Sequence, residues 1–237
     1  MNKVRAVGAL VMAGLVATSS SSFAGDDKAA VAKLQAACDG GDSPLSCDDL
    51  ADIYAKGGPG TPMNPARAAK LYGKACDAGL ALGCRHLAGL VAAGRGVPKN
   101  PAKAIVLYSK ACETGSALSC DDLGDFYAKG IGGKIDLVKA VPAYQRGCDD
   151  GLSRACGHVA RLYLDGRGVA RDTTKALAAY EKGCAAGSAL TCDDFGDVYA
   201  KGIGGVAVDR AKAAEYYKRG CDQKLNMACE HLAALTP

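Results

Sequence analysis

Twelve cysteines fall into six pairs, and the pairs recur along the chain at an almost constant interval; no other feature narrows the possible folds as much. Cys76 and Cys84, Cys112 and Cys120, Cys148 and Cys156, Cys184 and Cys192, and Cys221 and Cys229 are each eight positions apart. Cys38 and Cys47 are nine apart, and successive pairs begin 38, 36, 36, 36 and 37 residues apart. Self-similarity at such a period marks a stack of supersecondary units, none of which can bury its apolar face alone. The spacing predicts six tandem helical hairpins, and with no sustained strand alternation the chain reads as all-α.

Each hairpin announces its start. Twelve residues before the first cysteine of a pair stands Asp26, Asn64, Asn100, Asp136, Asp172 or Asp209, every one a good acceptor for the free N–H groups of a helix N-terminus. Ala30, Ala68, Ala104, Ala140, Ala176 and Ala213 lie eight before that cysteine, and Leu34, Tyr72, Tyr108, Tyr144, Tyr180 and Tyr217 four before it. At helical spacing these share a face, so the first helix presents a small residue and usually a ring to its neighbours. Gly41, Gly79, Gly115, Gly151 and Gly187 then suit the left-handed conformation that ends a helix. The sixth hairpin has Lys224 there, which predicts a turn of different build.

The second helix opens around the second cysteine, where a large and a small residue interlock, as in Leu50-Ala51, Leu123-Gly124 and Phe195-Gly196. Gly57, Gly94, Gly130, Gly166 and Gly202 end these helices. Pro142 stands where other hairpins carry Val106 or Ala178, and a proline inside a helix predicts a lost hydrogen bond and a kink.

The first residues belong to a different kind of segment. Lys3 and Arg5 precede an apolar stretch from Ala6 to Ala17, and Ser22-Phe23-Ala24 suits a small-x-small cleavage rule, so residues 1–24 are expected to be a signal peptide. The stretch is short for a membrane span, and no cysteine follows the cleavage point to take a lipid, which predicts a secreted or periplasmic chain without stable membrane insertion. The expected mature chain, 25–237, is one solenoid of six repeats at about 26–62, 63–98, 99–134, 135–170, 171–207 and 208–237. Losing Lys3 and Arg5 leaves 27 basic against 25 acidic residues, a balance that argues against a nucleic-acid partner. In an exported chain, twelve cysteines at matched spacing read as disulfides that staple each hairpin, Cys38 with Cys47, Cys76 with Cys84 and so on to Cys221 with Cys229.

The GRGV segments Gly94-Arg95-Gly96-Val97 and Gly166-Arg167-Gly168-Val169, each followed by a cap, the pairs Lys103-Ala104 and Lys175-Ala176, and the LG or LA step of the second helix resemble the Sel1-like repeat. With paired cysteines and a leader, the chain is similar to the secreted Helicobacter cysteine-rich protein family. That resemblance implies a curved right-handed α/α superhelix whose first helices line the concave side. It also implies an association with penicillin binding and weak β-lactam hydrolysis.

The chemistry legible in the residues is sparse. No G-x-S-x-G, S-x-x-K or K-T-G is present, so no catalytic residue is expected, and any β-lactam site would rest on the resemblance alone. No C-x-x-C occurs, and a cysteine with the histidine two residues on, as in Cys84 and His86, projects about 200° apart on a helix, so no metal is expected. No phosphate loop, EF-hand spacing or haem motif suggests a cofactor. A row of cations, Arg67, Lys103, Lys139, Lys175 and Lys212, nine before the first cysteine, is the candidate ligand groove, with Lys74, Lys110, Arg146, Lys182 and Arg219 seven residues later on the same face. These predict a scaffold that binds a protein, a peptide or a cell-wall fragment; the alternative is a β-lactam-binding protein.

A second periodicity spans two hairpins. Hairpins one, three and five carry Cys-Asp-Asp at 47–49, 120–122 and 192–194, and the other three carry His86, His158 and His231 in the register of the second aspartate. Neighbours in the row Asp49, His86, Asp122, His158, Asp194 and His231 are therefore expected to be neighbours along the stack, on helices whose axes lie about 10 Å apart. Asp48, Asp121 and Asp193 read as first-turn acids that favour a helix N-terminus.

Overall fold

The computed structural model describes residues 20–41, 43–58 and 60–235. Among them the chain forms twelve α-helices: α1 (Ser20–Gly40), α2 (Pro44–Lys56), α3 (Pro65–Asp77), α4 (Ala81–Ala93), α5 (Pro101–Glu113), α6 (Ala117–Lys129), α7 (Leu137–Asp149), α8 (Ser153–Asp165), α9 (Thr173–Ala185), α10 (Ala189–Lys201), α11 (Arg210–Asp222) and α12 (Asn226–Leu235). Each helix packs against those before and after it in the chain, and second helices such as α8 and α10 also touch, so the architecture is a solenoid of hairpins.

Five of the six expected caps start their helices. Asn64, Asn100, Asp136, Asp172 and Asp209 accept the backbone N–H of Arg67, Lys103, Lys139, Lys175 and Lys212 at 2.9 to 3.0 Å. The sixth does not: α1 begins at Ser20, so Asp26 falls inside it. The helix runs without a break through Ser22, Phe23, Ala24 and Gly25 ahead of Asp26. The signal-peptide segment before Ser20 lies outside the described residues.

At the hairpin tips, Gly79, Gly115, Gly151 and Gly187 take φ of 88 to 94°. The residue after the glycine donates back into the last helical turn, as Leu80 N–H does to the Ala75 carbonyl at 3.0 Å. Lys224 builds the same turn instead of a different one. Its φ is 67°, its N–H donates to the Cys221 carbonyl at 2.8 Å, and Leu225 N–H donates to the Gly220 carbonyl at 3.2 Å. The two backbone bonds and the bridge beside them hold a lysine in a conformation that glycine adopts freely.

All twelve cysteines of the expected staples are paired, each with its neighbour in the same hairpin. Cys38 is bonded to Cys47, Cys76 to Cys84, Cys112 to Cys120, Cys148 to Cys156, Cys184 to Cys192 and Cys221 to Cys229, with Cα atoms 4.4 to 4.7 Å apart. Cys47, Cys156 and Cys192 are buried, as is the second cysteine of most other pairs, whereas the first turns of the second helices expose Leu45, Leu82, Leu118 and Leu190. So close an approach of two helices requires small neighbours. A Cβ on Gly83 would come 2.6 Å from that of Ala75, and one on Gly220 2.9 Å from that of Ala228.

Between hairpins, the expected face is the buried one: Ala68, Ala104, Ala140, Ala176 and Ala213 are fully enclosed, and Tyr72, Tyr108, Tyr144, Tyr180 and Tyr217 are buried. The Tyr144 ring fills the space above Gly124, where a Cβ would lie 2.5 Å away, and Tyr217 does the same at Gly196. Pro142 neither shortens nor ends α7, which keeps thirteen residues. It sits on the exposed side, so the Val138 carbonyl it leaves without a helical donor is within reach of water.

Candidate functional site

Two polar constellations repeat along the stack. The first follows from the caps. By binding the backbone N–H of the third helical residue, each cap fixes that residue at the helix start, and the residue is always basic: Arg67, Lys103, Lys139, Lys175 or Lys212, all exposed. Four of these cations lie over tyrosines of the preceding second helix, Arg67 at 4.3 Å from the Tyr54 centroid, Lys139 at 5.6 Å from Tyr127, Lys175 at 5.5 Å from Tyr163 and Lys212 at 5.0 Å from Tyr199. Val91 holds the corresponding place ahead of Lys103.

The row is electrostatically uneven. Lys139, Lys175 and Lys212 lie 3.3, 3.3 and 3.9 Å from the carboxylates of their own caps. Arg67 and Lys103 follow asparagine caps, which carry no charge. The second basic row is largely engaged between hairpins, with Lys74 on Asp39 at 2.8 Å, Lys110 on Asp77 at 3.8 Å, Lys182 on Asp149 at 3.2 Å and Arg219 on Glu181 at 3.1 Å. Hydrogen bonds from Lys74 and Gln35 hold the Asp39 carboxyl below its usual range.

The second constellation lies where second helices meet, and it corrects the reading of Asp48, Asp121 and Asp193. His86, His158 and His231 direct Nδ1 at Asp48, Asp121 and Asp193, at 3.0, 3.0 and 2.9 Å. These are the first aspartates of each pair, buried acceptors and not first-turn acids on a helix surface. Each stands directly after its bridge, Asp48 after Cys47, Asp121 after Cys120 and Asp193 after Cys192, so the disulfide fixes the turn that carries the carboxylate. Asp122 and Asp194 turn the other way, to Arg85 Nε at 2.9 Å and an Arg161 terminal nitrogen at 2.6 Å. Adjacent helical residues point about 100° apart, so one aspartate faces the following hairpin while its neighbour turns away from it.

A tyrosine and a third aspartate complete each histidine junction. Tyr72, Tyr144 and Tyr217 donate to Asp52, Asp125 and Asp197 at 2.5, 2.6 and 2.6 Å, and their rings lie 4.9, 4.7 and 5.1 Å from those of the histidines. Burial, then the bond to the carboxylate, pushes all three hydroxyls far up. Asp48, Asp52 and His86 bring three potential metal ligands within 4.8 Å of one another. Lys56, Tyr72 and His86 already occupy those carboxylates, and the lysine supplies the positive charge, so the chemistry of the set is that of a hydrogen-bonded joint.

Sequence reasoning found the basic row but missed the tyrosines beneath it and the burial of the first aspartates. One signal was present: Cys-Asp-Asp with a third aspartate occurs only where the next hairpin carries a histidine. Among the described residues no helix is long and apolar enough to cross a membrane. The many disulfides suggest an oxidising, extracytoplasmic environment.

The family model described as Sel1 repeat matches residues 44–80, 81–116, 117–151, 153–188 and 196–225. Matched segments run from a second helix into the first helix of the next hairpin. A protective antigen present in uropathogenic Escherichia coli strains, displaying an SLR fold, is 25% identical over 86% of this chain with a TM-score of 0.78, and the chain spans 43% of that protein. A Sel1 repeat protein from Oxalobacter formigenes is 29% identical over 81% of this chain and 78% of its own, with a TM-score of 0.69. Helicobacter pylori cysteine rich protein B is 32% identical over 53% of this chain and 90% of its own, with a TM-score of 0.43. No curated protein matches the chain.

Proposed function

The chain belongs to the Sel1 repeat family, and we propose that it is an exported scaffold that captures an acidic protein, peptide or cell-wall fragment in a concave groove along its first helices. Sel1 repeats generally mediate protein–protein interaction, and a stack of disulfide-stapled hairpins suits a binding surface that must stay rigid outside the cell. The observation that carries the reading is the exposed row Arg67, Lys103, Lys139, Lys175 and Lys212, held in register by backbone caps, with Arg67 and Lys103 free of an anionic cap. Regularly spaced cations on one edge complement a ligand with regularly spaced carboxylates and steer it as it approaches.

On this reading export follows the leader at 1–24, and the working chain is a single solenoid from residue 25 to 237. No observation favours β-lactam chemistry over binding: the histidine Nδ1 atoms face buried carboxylates, and Ser116 and Ser119 hydrogen bond to each other at 2.8 Å.

Oxidised chain immobilised on beads and mixed with a native envelope extract is expected to retain an acidic partner. Reversing Lys103, Lys139 and Lys175 to glutamate together should abolish capture with the helical circular dichroism intact. Unchanged capture by that variant overturns the reading.

A further inference from the structure

The residue just ahead of the first-helix cap alternates in kind. It is apolar where an odd-numbered hairpin hands over to the next, at Met63, Ile135 and Val208, and basic at the other handovers, at Lys99 and Arg171. The three apolar side chains are 61, 65 and 62% exposed, although burying them would favour the fold. Each accompanies one of the tyrosine–cation pairs. Met63 lines a cleft of about 360 Å³ with Tyr54, Arg67 and Val31. Ile135 lines one of about 430 Å³ with Tyr127, Lys139 and Ile105. Val31 and Ile105 hold the same register, seven residues before Cys38 and Cys112, so one cleft has been built twice, two hairpins apart.

We propose that these two clefts select an extended acidic segment carrying two bulky aliphatic side chains, each beside a carboxylate; this rests on the capture along the first helices proposed above. The apolar and aromatic lining suits an aliphatic group. The charge beside it favours an anion: Arg67 follows an uncharged cap, and in the second cleft, where Asp136 pairs with Lys139, Lys134 makes no ion pair among the described residues and leaves one positive charge in excess. Helices of successive hairpins lie about 10 Å apart, so clefts two hairpins apart are separated by about 20 Å. An extended chain rising about 3.3 Å per residue covers that distance in about six residues.

Fluorescence anisotropy of the oxidised full chain with three labelled synthetic peptides tests this. All are built from Asp and Ser; one carries two leucines six residues apart, one carries them three apart, and one has none. The first is expected to bind at least about tenfold tighter than the other two. Ile135→Asp or Met63→Asp, on exposed side chains that leave the circular dichroism unchanged, should remove that advantage. Equal binding of all three peptides overturns the paired clefts and leaves capture by the basic row standing. Binding of none overturns both.

Discussion

Nδ1 of His158 lies 3.0 Å from Oδ1 of Asp121, a carboxylate with no exposed surface. Arg154 Nε holds the other oxygen at 2.6 Å, so a single α6 side chain fastens two points of α8. Among the described residues, Asp48 and Asp193 are held across hairpins by the histidine alone, because Leu82 and Met227 stand where Arg154 does.

Asp121→Asn is therefore expected to destabilise the chain by about 2 kcal/mol, the range for a buried hydrogen bond to a charged partner. Asp48→Asn should cost less. Urea unfolding of both variants checks the ranking, and equal losses would show that Arg154 adds nothing.

Stability is expected to peak on the acid side of neutrality. Burial, opposed by Arg85 and Arg161, raises the carboxyls of Asp122 and Asp194 above their ordinary 3.8. Holding them charged at neutral pH disfavours the fold, and the penalty is relieved as pH falls through their raised values. Burial acts on Asp52, Asp125 and Asp197 too, but bonds from Lys56, Lys129 and Lys201 and from the tyrosines outweigh it and lower all three. Their contribution is complete above 3.8 and disappears as pH falls through the lowered values. The double variant Asp122→Asn, Asp194→Asn should flatten the rise as pH falls from neutrality toward 3.8 and keep the loss below it. Urea midpoints across that range decide it.

Lys224→Gly should stabilise the chain by about 1 kcal/mol, since a lysine at φ 67° bears a steric penalty that glycine avoids. Gly115→Ala, at φ 94°, should destabilise by a similar amount. Thermal melts of the pair give opposite shifts if the tip conformation is common to both hairpins.

Each bridge closes a loop short enough to contribute about 2 to 3 kcal/mol through the unfolded chain. Replacing Cys112 and Cys120 by alanine should weaken protection on both sides of the third hairpin, whereas replacing Cys221 and Cys229 should loosen only the C-terminal end, because each hairpin is supported by its neighbours. Hydrogen exchange resolved by peptide distinguishes the two patterns. Non-reducing peptide mapping that found a bridge between hairpins, such as Cys47 with Cys76 or Cys156 with Cys184, would contradict the pairing itself.

What could be read from the sequence was local. A cap such as Asn100 binds an N–H three residues on, a cysteine such as Cys112 finds its partner eight residues on, and the Ala104–Tyr108 face repeats with the helical period, so all three follow from chain geometry over one or two turns. What the tertiary structure alone decided was non-local: that Asp121 and not Asp122 receives His158, that Lys74 is engaged by Asp39 while Lys103 makes no ion pair among the described residues, and that Met63 and Ile135 line clefts two hairpins apart. Each depends on how far one helix is rotated against the next. That rotation is set by the interlocking of side chains from different hairpins, such as the Tyr144 ring over Gly124, and one step along a helix turns a side chain by about 100°.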